Sequence, residues 1–224
     1  ASRRHVRSLF EEQVRWAAEE GVDYVIAETL PFLGEAELAL EVIQEARLPA
    51  VVTLAIFREP RTLDDVPVAE ACQRLEASGA AVVGLNCMRG PATMLPLLAE
   101  IRKAVDVDVA GLPVPYRTTE AEPTFISLRD PQLDLAQGNP FPTALDPFTC
   151  NRYEVADFAR RALDLGVRYL GLCCGAGPHH VRSLAEALGR TPAASRYSPD
   201  MSKHGVFGTD PSVRKPIEVD RVRL

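Results

Sequence analysis

Several things are missing from this chain of 224 residues. No apolar run is long enough to span a bilayer, and the opening "ASRRHVRSLF" lacks the apolar core of a secretory signal, so a cytoplasmic protein is expected. Basic excess is missing too. With 25 Lys and Arg against 31 Asp and Glu, the net charge is -6 and there is no basic stripe, which argues against nucleic acid as a partner. No glycine-rich loop follows an apolar segment at the spacing that a nucleotide phosphate requires. Internal repeats and low-complexity tracts are absent as well. Cysteine is scarce: the five present, Cys72, Cys87, Cys150, Cys173 and Cys174, make no disulfide framework of the secreted kind and contain no C-x-x-C pair. In a reducing compartment, clustered cysteines point to metal or to catalysis instead.

What is present suits a globular domain with one sizeable core, since 46% of the residues are hydrophobic and 25% are charged. The segment "LFEEQVRWAAEEG" has apolar residues at helical spacing and stops at Gly21, a favoured residue just past a helix end. Strand-like and helical segments then alternate. Apolar strands are expected in "VDYVIAETL", "AVVTLAIF", "AAVVGLNC", "VDVAGLPV" and "VRYLGLCC". Helices are expected in "GEAELALEVIQEARLP", "VAEACQRLEASG", "ATMLPLLAEIRKAV", "RYEVADFARRALDLG" and "PHHVRSLAEALG". Asn151 with Glu154 three residues on is a capping pair, and Pro178 suits a first helical turn. The strands lack polar alternation, which is the pattern of parallel strands covered on both sides. Periodicity leaves a doubly wound sheet and a (β/α)8 barrel both open. The segment from Thr118 to Thr149 is too long for a simple connection and reads as an active-site loop. From Thr191 onward no period is visible, and the chain reads as an extended arm.

In either parallel architecture, functional groups gather at the carboxyl ends of strands. Glu28, Cys87 and the pair Cys173 and Cys174 all stand there. Three thiolates with a fourth position open form a known zinc arrangement, one that suits holding a substrate thiol as a nucleophilic thiolate. A single cysteine ending an apolar strand is most often a small buried hydrophobe. The adjacent pair fits that reading less well, because alternation points one sulfur away unless the strand end kinks, which Gly175 permits. Spacing alone leaves packing and zinc both open. Cys72 and Cys150 read as packing residues, and His179 and His180 as surface or hydrogen-bonding residues rather than ligands. Glu28 is either an ordinary rim carboxylate or the partner of a cationic group such as a substrate amine. Asn86 is a partner to the ligands or a loop starter, and Tyr116 lines a pocket or covers the site's mouth.

The stretches "VDYVIAE", "GLNC", "NRYEVADFARRALDLGVRYLGLCCGAGPHHVRSLAEAL" and the arm with "SKHG" together resemble the homocysteine S-methyltransferase family, closest to its betaine-homocysteine branch. The resemblance implies a (β/α)8 TIM barrel, with Cys87, Cys173 and Cys174 binding Zn2+ and homocysteine sulfur as the fourth ligand. It also implies that Glu28 holds the homocysteine amino group. No catalytic group beyond the metal site is implied. Thr29 stands where betaine-specific members carry a tyrosine, so the implied methyl donor is an onium compound, betaine or a sulfonium.

Only five of eight βα units are visible in the sequence. The chain is therefore expected to lack the first three, to comprise a barrel portion over 1–190 and an arm over 191–224, and to expose apolar sheet edges. The arm resembles a segment used for subunit contact, and a homo-oligomer is expected. Two other readings remain: a non-catalytic metal-binding or subunit-interaction fragment, and a redox protein with a vicinal disulfide.

Overall fold

The computed structural model describes residues 3–133, 138–205 and 208–213. Among the described residues six α-helices and five β-strands alternate: α1 (Arg3–Glu19), β1 (Val25–Leu30), α2 (Leu33–Glu45), β2 (Ala50–Leu54), α3 (Val68–Ala77), β3 (Val82–Asn86), α4 (Pro91–Ala104), β4 (Asp108–Leu112), α5 (Arg152–Asp164), β5 (Tyr169–Leu170) and α6 (Pro178–Ala187). All strand pairs are parallel, in the order β1-β2-β3-β4-β5. A doubly wound sheet reverses its strand order at a switch point. This one runs in sequence order throughout, with one direction of winding.

Side-chain alternation gives the sheet two faces. Val52, Leu54, Val83, Leu85 and Val109 pack with Leu40, Ile43, Leu75, Leu98, Ile101 and Phe158 of the helices into one apolar core. Thr53, Gly84 and Asn86 stand on the opposite face, where polar chemistry is possible. β2 is buried along its whole length, Thr53 included, since it has a neighbouring strand on each side. β1 departs from that pattern: Ile26 is 43% exposed, because β1 is an edge strand with a neighbour on one side.

The turns follow local chemistry. Gly21, Gly79 and Gly166, expected at helix ends, have positive φ. The capping box at α5 is formed: Asn151 Oδ1 accepts from the N–H groups of Tyr153 (2.9 Å) and Glu154 (3.1 Å), and Glu154 Oε2 accepts from Asn151 N–H at 2.7 Å. Pro178 opens α6.

β5 is shorter than the expected 167–174, covering only Tyr169–Leu170. Pro113 and Pro115 follow β4, and proline has no N–H to return to a neighbouring strand. Beyond Leu170 hydrogen bonds run one way, from Gly171 N–H to Gly111 O (3.3 Å) and from Cys173 N–H to Pro113 O (2.9 Å).

The chain divides into two compact units, Ala1–Arg190 and Thr191–Leu224. The second contains two short 3-10 helices, Ala193–Tyr197 and Met201–Lys203, which the absence of any sequence period did not reveal. No described helix is long and apolar enough to cross a membrane.

Candidate metal centre

At the end of β3 the chain turns sharply. Cys87 (φ 59°) and Met88 (φ 53°) both lie in the left-handed region, a conformation costing on the order of 1–3 kcal/mol for a side-chain-bearing residue. Surrounding bonds hold it. Cys87 N–H donates to Leu112 O at 3.0 Å and Arg89 N–H to Cys87 O at 2.6 Å. The Arg89 guanidinium is buried and donates to the carbonyls of Ile56, Phe57, Arg58 and Thr93, so four backbone oxygens fix the residue that follows the turn.

The second strand end turns through Gly175 (φ 86°). A Cβ there would run into the Tyr116 hydroxyl, so both the backbone angle and the neighbour demand glycine. Tyr116 thus covers this turn, and its ring stacks on Phe125 with centroids 5.8 Å apart. The sulfurs of Cys87, Cys173 and Cys174 consequently lie within 4.8 Å of one another. Cys87 Sγ is 3.7 Å from Cys174 Sγ, and Cys173 Sγ is 3.9 Å from Cys174 Sγ. Cys87 is buried, Cys173 half-buried and Cys174 exposed, so the cluster opens to solvent on one side.

Crowding three thiols changes their acidity. Cys173 is drawn down to about 6, chiefly by its hydrogen bond with Cys87. The same bond, and then burial, push Cys87 up. The crowding thus favours the thiolate form at Cys173 over Cys87, and a thiolate attracts a soft cation.

Glu28 lies beside this cluster. Its Oε2 is 3.3 Å from Asn86 Nδ2, and the same amide nitrogen is 3.8 Å from Cys173 Sγ. The structure therefore brings Glu28, Cys87, Cys173 and Cys174 to one rim and adds Asn86 between them. Cys72 and Cys150 lie elsewhere in apolar packing, where burial pushes their thiols up to about 12 and about 11. Both ring nitrogens of His180 are engaged: Nδ1 accepts from Gly177 N–H at 3.0 Å and Nε2 meets Cys150 O at 3.0 Å. That takes His180 out of any ligand set. His179 is exposed, its ring 3.9 Å from that of His180. Cys173 and Cys174 are free thiols, which gives the vicinal-disulfide reading no support.

The family model described as homocysteine S-methyltransferase matches residues 1–188. The chain is 32% identical over 212 residues to S-methylmethionine–homocysteine S-methyltransferase BHMT2 of Pongo abelii, covering 91% of this chain and 54% of that protein. It is 33% identical over 210 residues to betaine–homocysteine S-methyltransferase 1 of Xenopus tropicalis, covering 91% and 49%. The chain thus spans about half the length of the curated relatives it matches. Among solved structures, the metallated form of the homocysteine methyltransferase MmuM from Escherichia coli has the same fold, with a TM-score of 0.60 at 17% identity over 83% of this chain and 52% of that one. Agreement over so much of the sequence, together with the shared fold, leaves one conclusion: the chain belongs to the homocysteine S-methyltransferase family.

Proposed function

We propose that the protein serves methyl transfer from a small onium donor, betaine or a sulfonium, to the thiolate of homocysteine, giving methionine. In this reading Cys87, Cys173 and Cys174 hold Zn2+ and Glu28 receives the substrate's ammonium group. One observation carries it, the mutual placement of three sulfurs. A tetrahedral zinc with zinc–sulfur bonds of about 2.3 Å has sulfur–sulfur edges of about 3.8 Å. Two of the three sulfur–sulfur edges, at 3.7 and 3.9 Å, match that value, and the third pair lies within 4.8 Å.

When bound, zinc keeps a coordinated thiol deprotonated at neutral pH. The protein's own residues orient the reactants. Glu28 is exposed and aims a carboxylate at the rim where the amino group of an amino-thiol would lie. Exposed Cys174 marks the open side through which substrate arrives. The homocysteine sulfur gives an electron pair to the donor's methyl carbon, while the pair of the breaking carbon–nitrogen or carbon–sulfur bond leaves with the donor. No protein acid or base is needed for that step. What the protein supplies is proximity and a fixed angle of approach.

We further assign residues 1–190 to the homocysteine-binding part of a (β/α)8 barrel and residues 191–224 to an arm for homo-oligomer contact, in a cytoplasmic setting that keeps the thiols reduced. A second reading, a metal-holding portion without methyl transfer of its own, is favoured by the half-length match to the curated relatives. Metal analysis tests the shared core of both. The expected result is about one zinc per chain, lost on Cys87→Ala. Zinc retained unchanged in Cys87→Ala sinks the site. Formation of methionine from homocysteine and an onium donor separates the first reading from the second.

A further inference from the structure

Asn86 ends the central strand of the five, and its side chain is fully buried. Its Oδ1 accepts from Thr29 N–H at 2.8 Å and from Thr53 Oγ1 at 2.8 Å. Its Nδ2 donates to Thr29 Oγ1 at 2.6 Å and faces Glu28 Oε2 at 3.3 Å and Cys173 Sγ at 3.8 Å. The orientation of the amide follows from these partners. A backbone N–H requires the oxygen, and a carboxylate requires the nitrogen. One side chain therefore touches β1, β2 and the turn after β5.

The reason for the reach lies in β1. Val25, Ile26 and Ala27 pair in step with Ala50, Val51 and Val52, but the next pair is Leu30 with Leu54, so β1 holds one residue more than its partner. The bulge falls at Glu28 and Thr29, and Thr29 takes φ 63°, an unusual angle for a β-branched residue. A bulge leaves a backbone N–H outside the ladder. Asn86 accepts that N–H, and the bulge leaves the Glu28 carboxylate beside the same amide.

We propose that Asn86 is a positioning residue that fixes the span between the Glu28 carboxylate and the Cys173 sulfur, so that the site selects a thiol bearing an amino group over the same thiol without one. This rests on the proposed metal site and deepens it. The amide that steadies the amine's partner also contacts a metal ligand, as groups just outside a metal's ligand shell commonly do. The two ends of a bound amino-thiol are then measured against a single side chain.

The test uses Co2+ as a spectroscopic stand-in for zinc, followed through its thiolate charge-transfer absorption. Wild type, Asn86→Asp, Asn86→Ser and Glu28→Gln are titrated with Co2+, then with homocysteine and with 4-mercaptobutyrate, the same chain without the amine. Asn86→Asp keeps the acceptor for Thr29 and Thr53 and loses both donors. Asn86→Ser removes the amide without adding charge. Both are expected to weaken Co2+ binding about 10- to 100-fold and to bring the two thiols to equal affinity. Glu28→Gln is expected to equalise the thiols while leaving Co2+ affinity unchanged. Thermal unfolding establishes which variants are folded. Unchanged Co2+ affinity with retained preference for homocysteine in either folded Asn86 variant overturns the proposal, as does equal affinity for both thiols in wild type. Failure of wild type to bind Co2+, or undiminished binding by Cys87→Ala, overturns the metal reading and this proposal together.

Discussion

His180 shows how one side chain can join two loops. Its ring is closed between the Gly177 N–H at the start of α6 and the carbonyl of Cys150, so Nδ1 accepts and Nε2–H donates. Burial, and then the neighbouring His179, hold its pKa below the ordinary 6.5. A proton on Nδ1 would face a backbone N–H at a helix N-terminus, where positive charge is disfavoured. As pH falls below 6.5 the unfolded chain takes up the proton first. The stabilisation is therefore complete above that value and is lost as pH drops toward the lower folded pKa. Thermal unfolding followed from pH 7 to pH 5 is expected to fall more steeply in wild type than in His180→Ala. At pH 7 the variant is expected to be less stable by about 1–3 kcal/mol, having left the buried Cys150 carbonyl and the half-buried Gly177 N–H unpaired. Parallel pH profiles would refute this role. At this scale, the cysteine cluster was legible in the sequence because strand ends meet at one rim. The work of Asn86 was not, since its partners lie 33, 57, 58 and 87 residues away. Nor did any pattern mark Thr29 as left-handed, because its residue type argues against that angle.

Among the elements, α5 was legible from its ends inward. Asn151 and Glu154 wrote the start, and Gly166 wrote the stop. Glu154 also accepts two bonds from the Arg117 guanidinium, at 2.6 and 2.7 Å, which hold its carboxyl below the usual range. Arg117 immediately precedes the long segment before α5, so the cap ties the start of that segment to the helix. Asn151→Ala removes the acceptor for two N–H groups and is expected to cost about 1 kcal/mol, seen as a lower unfolding temperature. No change would mean that water replaces the cap fully. β5 was misjudged in length for an equally local reason. Its own residues favour a strand, but the prolines after β4 cannot answer its carbonyls. Strand propensity describes one partner, whereas pairing needs two.

For the molecule as a whole, the sheet among the described residues is open, with β1 and β5 at its edges. Beside β1, a groove of about 380 Å³ lies between that strand and α1, lined by Phe10, Val14, Ile26 and Leu30. Tyr24 and Ile26 are 47% and 43% exposed along the edge. Apolar edges of this kind recruit further strands or copies. The 224-residue chain is expected to associate with rising concentration in sedimentation experiments, and Ile26→Lys is expected to reduce that association. Unaltered sedimentation in Ile26→Lys would place the contact elsewhere. The winding of the sheet was legible only as a choice of two, because periodicity reports which residues are apolar and not the order in which strands lie side by side.

Cys87 and Cys174 are separated by 87 residues, with β4, the long segment and α5 between them. Closing a loop of that length costs roughly 4 kcal/mol of chain entropy, which the intervening packing must recover first. The thiols are therefore expected to meet only after that packing has formed. A newly made chain carries scattered cysteines, each open to oxidation by itself, whereas the finished molecule shields Cys87 and presents Cys174 outermost. Its vulnerability to oxidants is thus expected to differ between the newly made chain and the folded one.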